Sequence, residues 1–234
     1  MKCYTRRAGG TDAAVALGTF DGVHLGHQTV LEVAQTIALC EGMTPCALSF
    51  LQHPLSVVGA GAPPLLTLPA EKALLAARSG LEEMALLPFT RDFAALPAED
   101  FARLLVEKYR ARHVVVGENY TFGAGGAGDV DLLDRLSKAL GFVLHVVPKV
   151  RVSGMDVSST AIRSLLAAGD VRRAAAGLLH RRPHRPRPAH RAPDGLPHGQ
   201  RGPAQGQAPA QVRRVLRLCP HRGRALPGHV QPGR

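Results

Sequence analysis

Two histidines three positions apart, with a glycine between them, lie in the run Gly18-Thr-Phe-Asp-Gly-Val-His24-Leu-Gly26-His27. The run sits between a short apolar stretch and a segment of helical periodicity. Its glycines allow a tight turn and let a ligand come close to the backbone. A helix that starts near His27 turns its free N–H groups and the positive end of its dipole toward whatever docks there. His24 and His27 can then be aimed at one phosphate chain. The arrangement suits ATP, and it does so without a Walker-type lysine.

Three further segments carry candidate chemistry. Phe50-Leu-Gln-His53-Pro54 closes an apolar run and enters a proline turn. Val116-Gly-Glu-Asn119-Tyr-Thr-Phe122-Gly123 continues through a glycine-rich stretch to Gly128-Asp129. There Asn119 can bridge a ligand and the backbone, and the aromatic residues offer a wall for a flat ring. Val157-Ser158-Ser159-Thr160-Ala-Ile-Arg163 reads as a helix start. Its hydroxyls can cap free N–H groups and touch phosphate. Arg163, one turn further on, can reach the same oxygens in a bidentate manner.

The elements that must position these groups follow from periodicity. Apolar runs predict strands over 13–18, 44–50, 84–89, 113–117 and 142–147. Helical spacing and capping residues predict helices over 27–40, 69–79, 97–109, 129–140, 158–168 and 170–179. The alternation implies an α/β fold, a Rossmann-like parallel sheet with helices on both faces. Ligands in such sheets bind beyond the carboxyl ends of the strands. The motifs fall at strand-to-helix junctions, where that rule requires them.

The 234 residues can bury a substantial core, and no apolar run is long enough to span a membrane. The first ten residues lack the apolar centre of a signal peptide. Four cysteines, Cys3, Cys40, Cys46 and Cys219, have no C-x-x-C spacing, which speaks against a zinc site; no metal ligands are expected, and a cytoplasmic location is. The net charge of +11 is unevenly placed. Residues 1–180 hold 17 Lys+Arg and 17 Asp+Glu, whereas 181–234 hold 12 arginines against Asp194 alone. That last segment also holds 10 of the 18 prolines and no aromatic residue. It cannot bury enough apolar surface to offset its ordering entropy, so it is predicted to be a disordered basic tail. Such a tail would bind nucleic acid only in a salt-sensitive, sequence-blind way. A specific nucleic-acid partner and a membrane partner are not expected.

Gly18 to His27 resembles the H-x-G-H signature of the nucleotidylyltransferase superfamily. The form G-T-F-D-G-V-H-L-G-H is similar to that of bacterial FAD synthetases, whose N-terminal module is an FMN adenylyltransferase. The later segments resemble that family's F-x-P-H-P, with Gln52 where proline is usual, its V-G-x-[DN]-[FY]-x-F-G…G-D, without the basic residue often found there, and its I-S-S-T-x-I-R…G-D-V. The resemblance implies a nucleotidylyltransferase fold over 1–180 and transfer of AMP from ATP to FMN, giving FAD and pyrophosphate. It implies catalytic roles for His24, His27 and Arg163. It places ATP on Gly18, Thr19, Phe20, Asp21, Gly22, Gly26, Ser158, Ser159 and Thr160, and the flavin on Phe50, His53, Pro54, Asn119 and Phe122. Mg²⁺ would arrive with the nucleotide.

The family's second half is a riboflavin kinase barrel with a G-x-P-T-A-N motif. Here Leu179-His-Arg-Arg-Pro183 leads into the basic tail instead, as out-of-frame translation of a GC-rich region would produce. Riboflavin kinase activity is therefore not expected. Two other readings remain open at the level of sequence: a nucleotidylyltransferase acting on another phosphate acceptor, and a truncated product without function.

Overall fold

A computed structural model describes residues 1–4, 10–59 and 61–178. In chain order the elements are β1 (Lys2–Tyr4), β2 (Ala13–Leu17), α1 (Leu25–Glu41), β3 (Thr44–Phe50), α2 (Leu55–Val58), α3 (Pro69–Arg78), β4 (Glu83–Leu87) and α4 (Arg91–Ala94). They continue with α5 (Ala98–Tyr109), β5 (Ala111–Gly117), α6 (Val130–Leu140), β6 (Val143–Val147), the pair β7 (Arg151–Val152) and β8 (Met155–Asp156), α7 (Ser159–Ala167) and α8 (Val171–Leu178). Six strands form one sheet in the order β1-β4-β3-β2-β5-β6, and all its pairs are parallel.

β2 explains why an unbroken apolar run makes a strand here. All five of its residues are buried, because it lies between β3 and β5 with packed layers above and below. Its alternate residues feed two separate cores. Ala14 and Ala16 join Val30, Ala34 and Ile37 of α1, whereas Val15 and Leu17 join Phe101 and Leu105 of α5 and Leu133 of α6. Truncating a fully buried residue such as Leu105 to alanine costs about 2–5 kcal/mol. The helices end where the local chemistry stops them. Asp129 caps α6 by accepting from the Leu132 N–H at 2.8 Å, and Gly141, at φ 74°, ends it in the left-handed region that glycine favours.

The strand order reverses at β2, with β3, β4 and β1 to one side and β5 and β6 to the other. The loops that follow β2 and β5 therefore leave from the switch point of the sheet, where a crevice opens.

The parallel sheet with helices on both faces is the fold that the periodicity predicts. The predicted helix over 27–40 begins two residues earlier and ends one later. Edge strand β1, the β7–β8 pair, and the four-residue helices α2 and α4 are not visible as periodicity, because two to four residues are too few to show one. Their neighbours supply the pairing, as in Lys2↔Glu83 to Tyr4↔Ala85. The segment 181–234, read from sequence as a disordered tail, lies outside the described residues. Among those described, no helix is long and apolar enough to cross a membrane.

Candidate active site

The turn after β2 is tight and strained. Phe20 and Val23 have φ of 49° and 38°, in the left-handed region that a β-branched residue such as valine rarely enters. Conformations of this kind cost on the order of 1–3 kcal/mol and persist where surrounding structure enforces them. The enforcement is visible: Gln28 donates from Nε2 to the Val23 carbonyl at 2.8 Å, and Phe20 is fully buried. Gly22 has φ 79°, and a Cβ there would meet Leu66 at 2.8 Å. At Gly26 a Cβ would sit 3.2 Å from the His24 ring.

The two histidines come together at the start of α1. Their rings stack at 3.6 Å between centroids and 17° between planes. His24 is the N-cap of the helix, its Nδ1 accepting from the His27 N–H at 3.3 Å. That contact leaves the ring proton for Nε2. The Nδ1 of His27 is buried and has no partner. Burial holds the His24 pKa down to about 4. It holds that of His27 well below the ordinary value, with the charges of His24 and Lys72 acting in the same direction. Near pH 7 the pair is neutral and offers N–H donors and ring lone pairs rather than cationic charge.

Asp21 joins the turn to two distant segments. Its Oδ1 accepts from the Leu66 and Thr67 N–H groups at 2.9 and 3.0 Å, and its Oδ2 pairs with Arg163. Arg163 also donates from Nε to the Pro64 carbonyl at 2.8 Å, and Ser159 donates from Oγ to the Asp21 carbonyl at 2.9 Å. Thr67 accepts from the Gly22 N–H at 2.9 Å. The first and fourth motifs of the sequence thus meet around one buried carboxylate. Ser158 caps α7 by accepting from the Ala161 N–H at 3.1 Å, and Thr160 is exposed.

A pocket beside the turn is lined by Thr19, Asp21, Phe50, His53, Pro54 and Lys72 among others. The first and second motifs share it. His53 accepts on Nδ1 from the Leu55 N–H at 3.2 Å, and burial, then the Arg163 charge, lowers its pKa. Ser49 donates to the Thr19 carbonyl at 2.9 Å, which fixes the end of β3 to the turn. Lys72 enters from α3 and donates to Ser49 Oγ at 3.3 Å and to the Phe50 carbonyl at 3.1 Å. It is 7% exposed, and burial pushes its pKa down to about 8 against the opposing pull of Asp21. The sequence shows Lys72 only as a polar position on an amphipathic helix. A lysine at a buried helical position would have been the signal, and its burial is not readable from spacing.

The third motif is arranged differently. Asn119 is exposed in the turn after β5. Phe122 is 6% exposed and packs against Phe101, with Tyr120 also stacked against it. The backbone of Phe122 exchanges two hydrogen bonds with Gly128, at 3.0 and 2.8 Å, and closes the glycine-rich loop on itself. A separate cavity of about 300 Å³ lies between the β7–β8 pair and α7 and α8, lined mostly by apolar residues such as Val157, Ile162 and Leu165. It shares none of the residues of the histidine turn.

The chain has counterparts among known proteins. Residues 7–161 match the FAD synthetase family over most of the described structure. The chain belongs to the FAD synthetase family. It is 34% identical over 170 residues to a FAD synthetase of Listeria monocytogenes, covering 72% of this chain and 69% of that one. It is 32% identical over 155 residues to a bifunctional riboflavin kinase/FMN adenylyltransferase of Pseudomonas fluorescens (66% and 50% of the two chains). The corresponding protein of Escherichia coli K12 is 33% identical over 168 residues (71% and 54%). Among these FAD synthetase relatives, the chain spans about half the length of the bifunctional ones. A crystal structure titled as a macrolide-efflux protein from Streptococcus pneumoniae superposes with a TM-score of 0.68 at 28% identity, covering 76% of this chain and 59% of that one.

Proposed function

We propose that this chain transfers the AMP group of MgATP to FMN, giving FAD and pyrophosphate. An oxygen of the FMN phosphate attacks the α-phosphorus of ATP. The bond from that phosphorus to the oxygen bridging the β-phosphate breaks, and pyrophosphate leaves with the electron pair. FMN brings its own nucleophile, so the protein needs neither a nucleophile nor a strong base. Its work is to align two anions and to stabilise the charge that gathers on the leaving group.

The observation that carries the reading is the stacked, neutral His24–His27 pair at the start of α1, with a buried His27 nitrogen that has no partner. A buried polar atom without a partner is costly, and a phosphate oxygen or its proton at that position would satisfy it. In this reading the Gly18, Thr19, Phe20, Gly22 and Gly26 backbone cradles ATP, with Ser158, Ser159 and Thr160 at the second helix start. Asp21 supports the site by holding Arg163, which keeps N–H donors beyond those given to Asp21 and Pro64. Phe50, His53 and Pro54 receive the flavin, with Asn119 and Phe122 on the far side of the switch point. Mg²⁺ comes as part of the substrate. The adenylyl-transfer module is residues 1–180, working in the cytoplasm.

The test is formation of FAD from ATP, FMN and Mg²⁺, followed by liquid chromatography. FAD and pyrophosphate in equal amounts are the expected result. A folded protein that forms neither would overturn the reading.

A further inference from the structure

We propose that Lys72 is the group that recognises the phosphate of the flavin, and so makes the acceptor site select FMN over riboflavin. This rests on the adenylyl-transfer reading, because it names what binds that reaction's acceptor. Three observations lead to it. Lys72 is 93% buried by its 7% exposure, yet among the described residues no carboxylate lies within 4.0 Å of its Nζ. Its two hydrogen bonds go to uncharged oxygens, Ser49 Oγ and the Phe50 carbonyl, and leave one N–H direction unspent. A buried cation with no carboxylate in direct contact is unfavourable even with Asp21 pulling from farther off, and an anionic ligand would supply a contacting charge.

The position narrows which anion. Lys72 shares its pocket with Phe50, His53 and Pro54 on one side and with Thr19 and Asp21 of the turn on the other. A flavin seated on the second motif with its phosphate turned toward the Gly18–His27 segment would bring that phosphate to Lys72. Two phosphate groups approaching for reaction repel each other, and a cation between them removes much of that cost. The other candidate cations at the site are engaged elsewhere or uncharged. The Arg163 guanidinium is paired with Asp21, and burial keeps His24 and His27 neutral near pH 7.

The test compares FMN and riboflavin binding by flavin fluorescence in the wild-type chain and in Lys72→Gln and Lys72→Met. Gln keeps a donor for Ser49 and Phe50 and removes only the charge. The wild-type chain should bind FMN more tightly than riboflavin. In both variants FMN affinity should fall about tenfold or more while riboflavin affinity stays the same, so that the preference disappears. Lys72→Arg should keep the preference. In turnover, the KM for FMN should rise far more than that for ATP. A role confined to holding β3 would weaken both flavins equally, and an equal loss would overturn the proposal. So would an unchanged preference, a wild type without one, or failure of both neutral variants to fold. Because the binding comparison needs no turnover, a chain that prefers FMN through Lys72 but forms no FAD would reject the reaction and keep the phosphate contact.

Discussion

Among the described residues, two pairs of histidines, each near a carboxylate, lie at different places on the same sheet. His113 of β5 and His145 of β6 share a hydrogen bond of 2.9 Å between Nδ1 and Nε2, and His113 Nε2 meets Glu41 at 3.0 Å. That chain of contacts ties the end of α1 to two strands and leaves the His113 nitrogens both partnered. At the turn after β2 the opposite holds. His24 and His27 stack face to face, the neighbouring carboxylate of Asp21 is taken up by Arg163 and the 66–67 amides, and a nitrogen of His27 has nothing to bond. The same residue type thus has its hydrogen bonds complete in one place and left open in the other, and the proposed function uses the open pair. The saturated contacts of His113 fit a structural role.

The largest expected effect comes from emptying the unsaturated pair. His27→Ala should lower kcat for FAD synthesis by about 10²–10³, the usual loss when one donor to a developing charge is removed. FMN binding and the circular dichroism spectrum should remain as in wild type. Full activity in the folded variant would remove the distinction between the two pairs.

Asp21→Asn tests the carboxylate that the turn does not share with its histidines. It leaves Arg163 without its partner and weakens the hold on the 66–67 amides. A stability loss of roughly 2–4 kcal/mol in urea unfolding is expected, together with reduced activity. Stability equal to wild type would show that the carboxylate does not hold these segments together.

Acid should act on both pairs. Burial depresses the pKa of His24 and of His145 to about 4 from an ordinary 6.5. The unfolded chain therefore binds more protons than the folded one between these values. Stability should be fully present above pH 6.5 and fall as the pH drops toward about 4, with His24 contributing on the order of 2–3 kcal/mol. Urea unfolding measured from pH 7.5 to 4 should trace that decline, and a flat profile would contradict neutral burial.

The smallest effect separates the pairs again. His145→Gln can keep its bond to His113 but has no proton to gain. It should cost about 1 kcal/mol or less at pH 7, flatten part of the acid decline, and leave FAD synthesis unchanged. A drop in turnover would mean that the β5–β6 pair reaches the active site.

How much of this was legible differs from group to group. The glycine spacing around His24 and His27 showed the turn, because left-handed and crowded backbone positions select that residue. The core strands showed themselves as apolar runs because both faces of the sheet are covered. Asp21's role was not legible, since the partners that define it are backbone amides of Leu66 and Thr67, which carry no signature in residue type. Lys72 was hidden for a related reason: on α3 its spacing resembles a solvent-facing position, and only the approach of β3 and the turn buries it. Phe122 was read as a wall for a ring, and its burial against Phe101 comes from a packing arrangement that local sequence does not encode.

The anchoring of Asp21 bears on whether this turn could be moved elsewhere. A ten-residue graft of Gly18–His27 onto another parallel sheet would carry the stacked imidazoles and the helix start. It would leave behind the amides 45 and 46 positions along the chain and the guanidinium 142 positions away that hold the carboxylate in place. Without them the left-handed Phe20 and Val23 would have less to oppose their relaxation, and the ring stack would lose its support. The motif is short as a string of letters, but as an object it has the size of the domain. Anyone transplanting it should expect to carry the 64–67 loop and α7 along, or to rebuild their contacts in the new host.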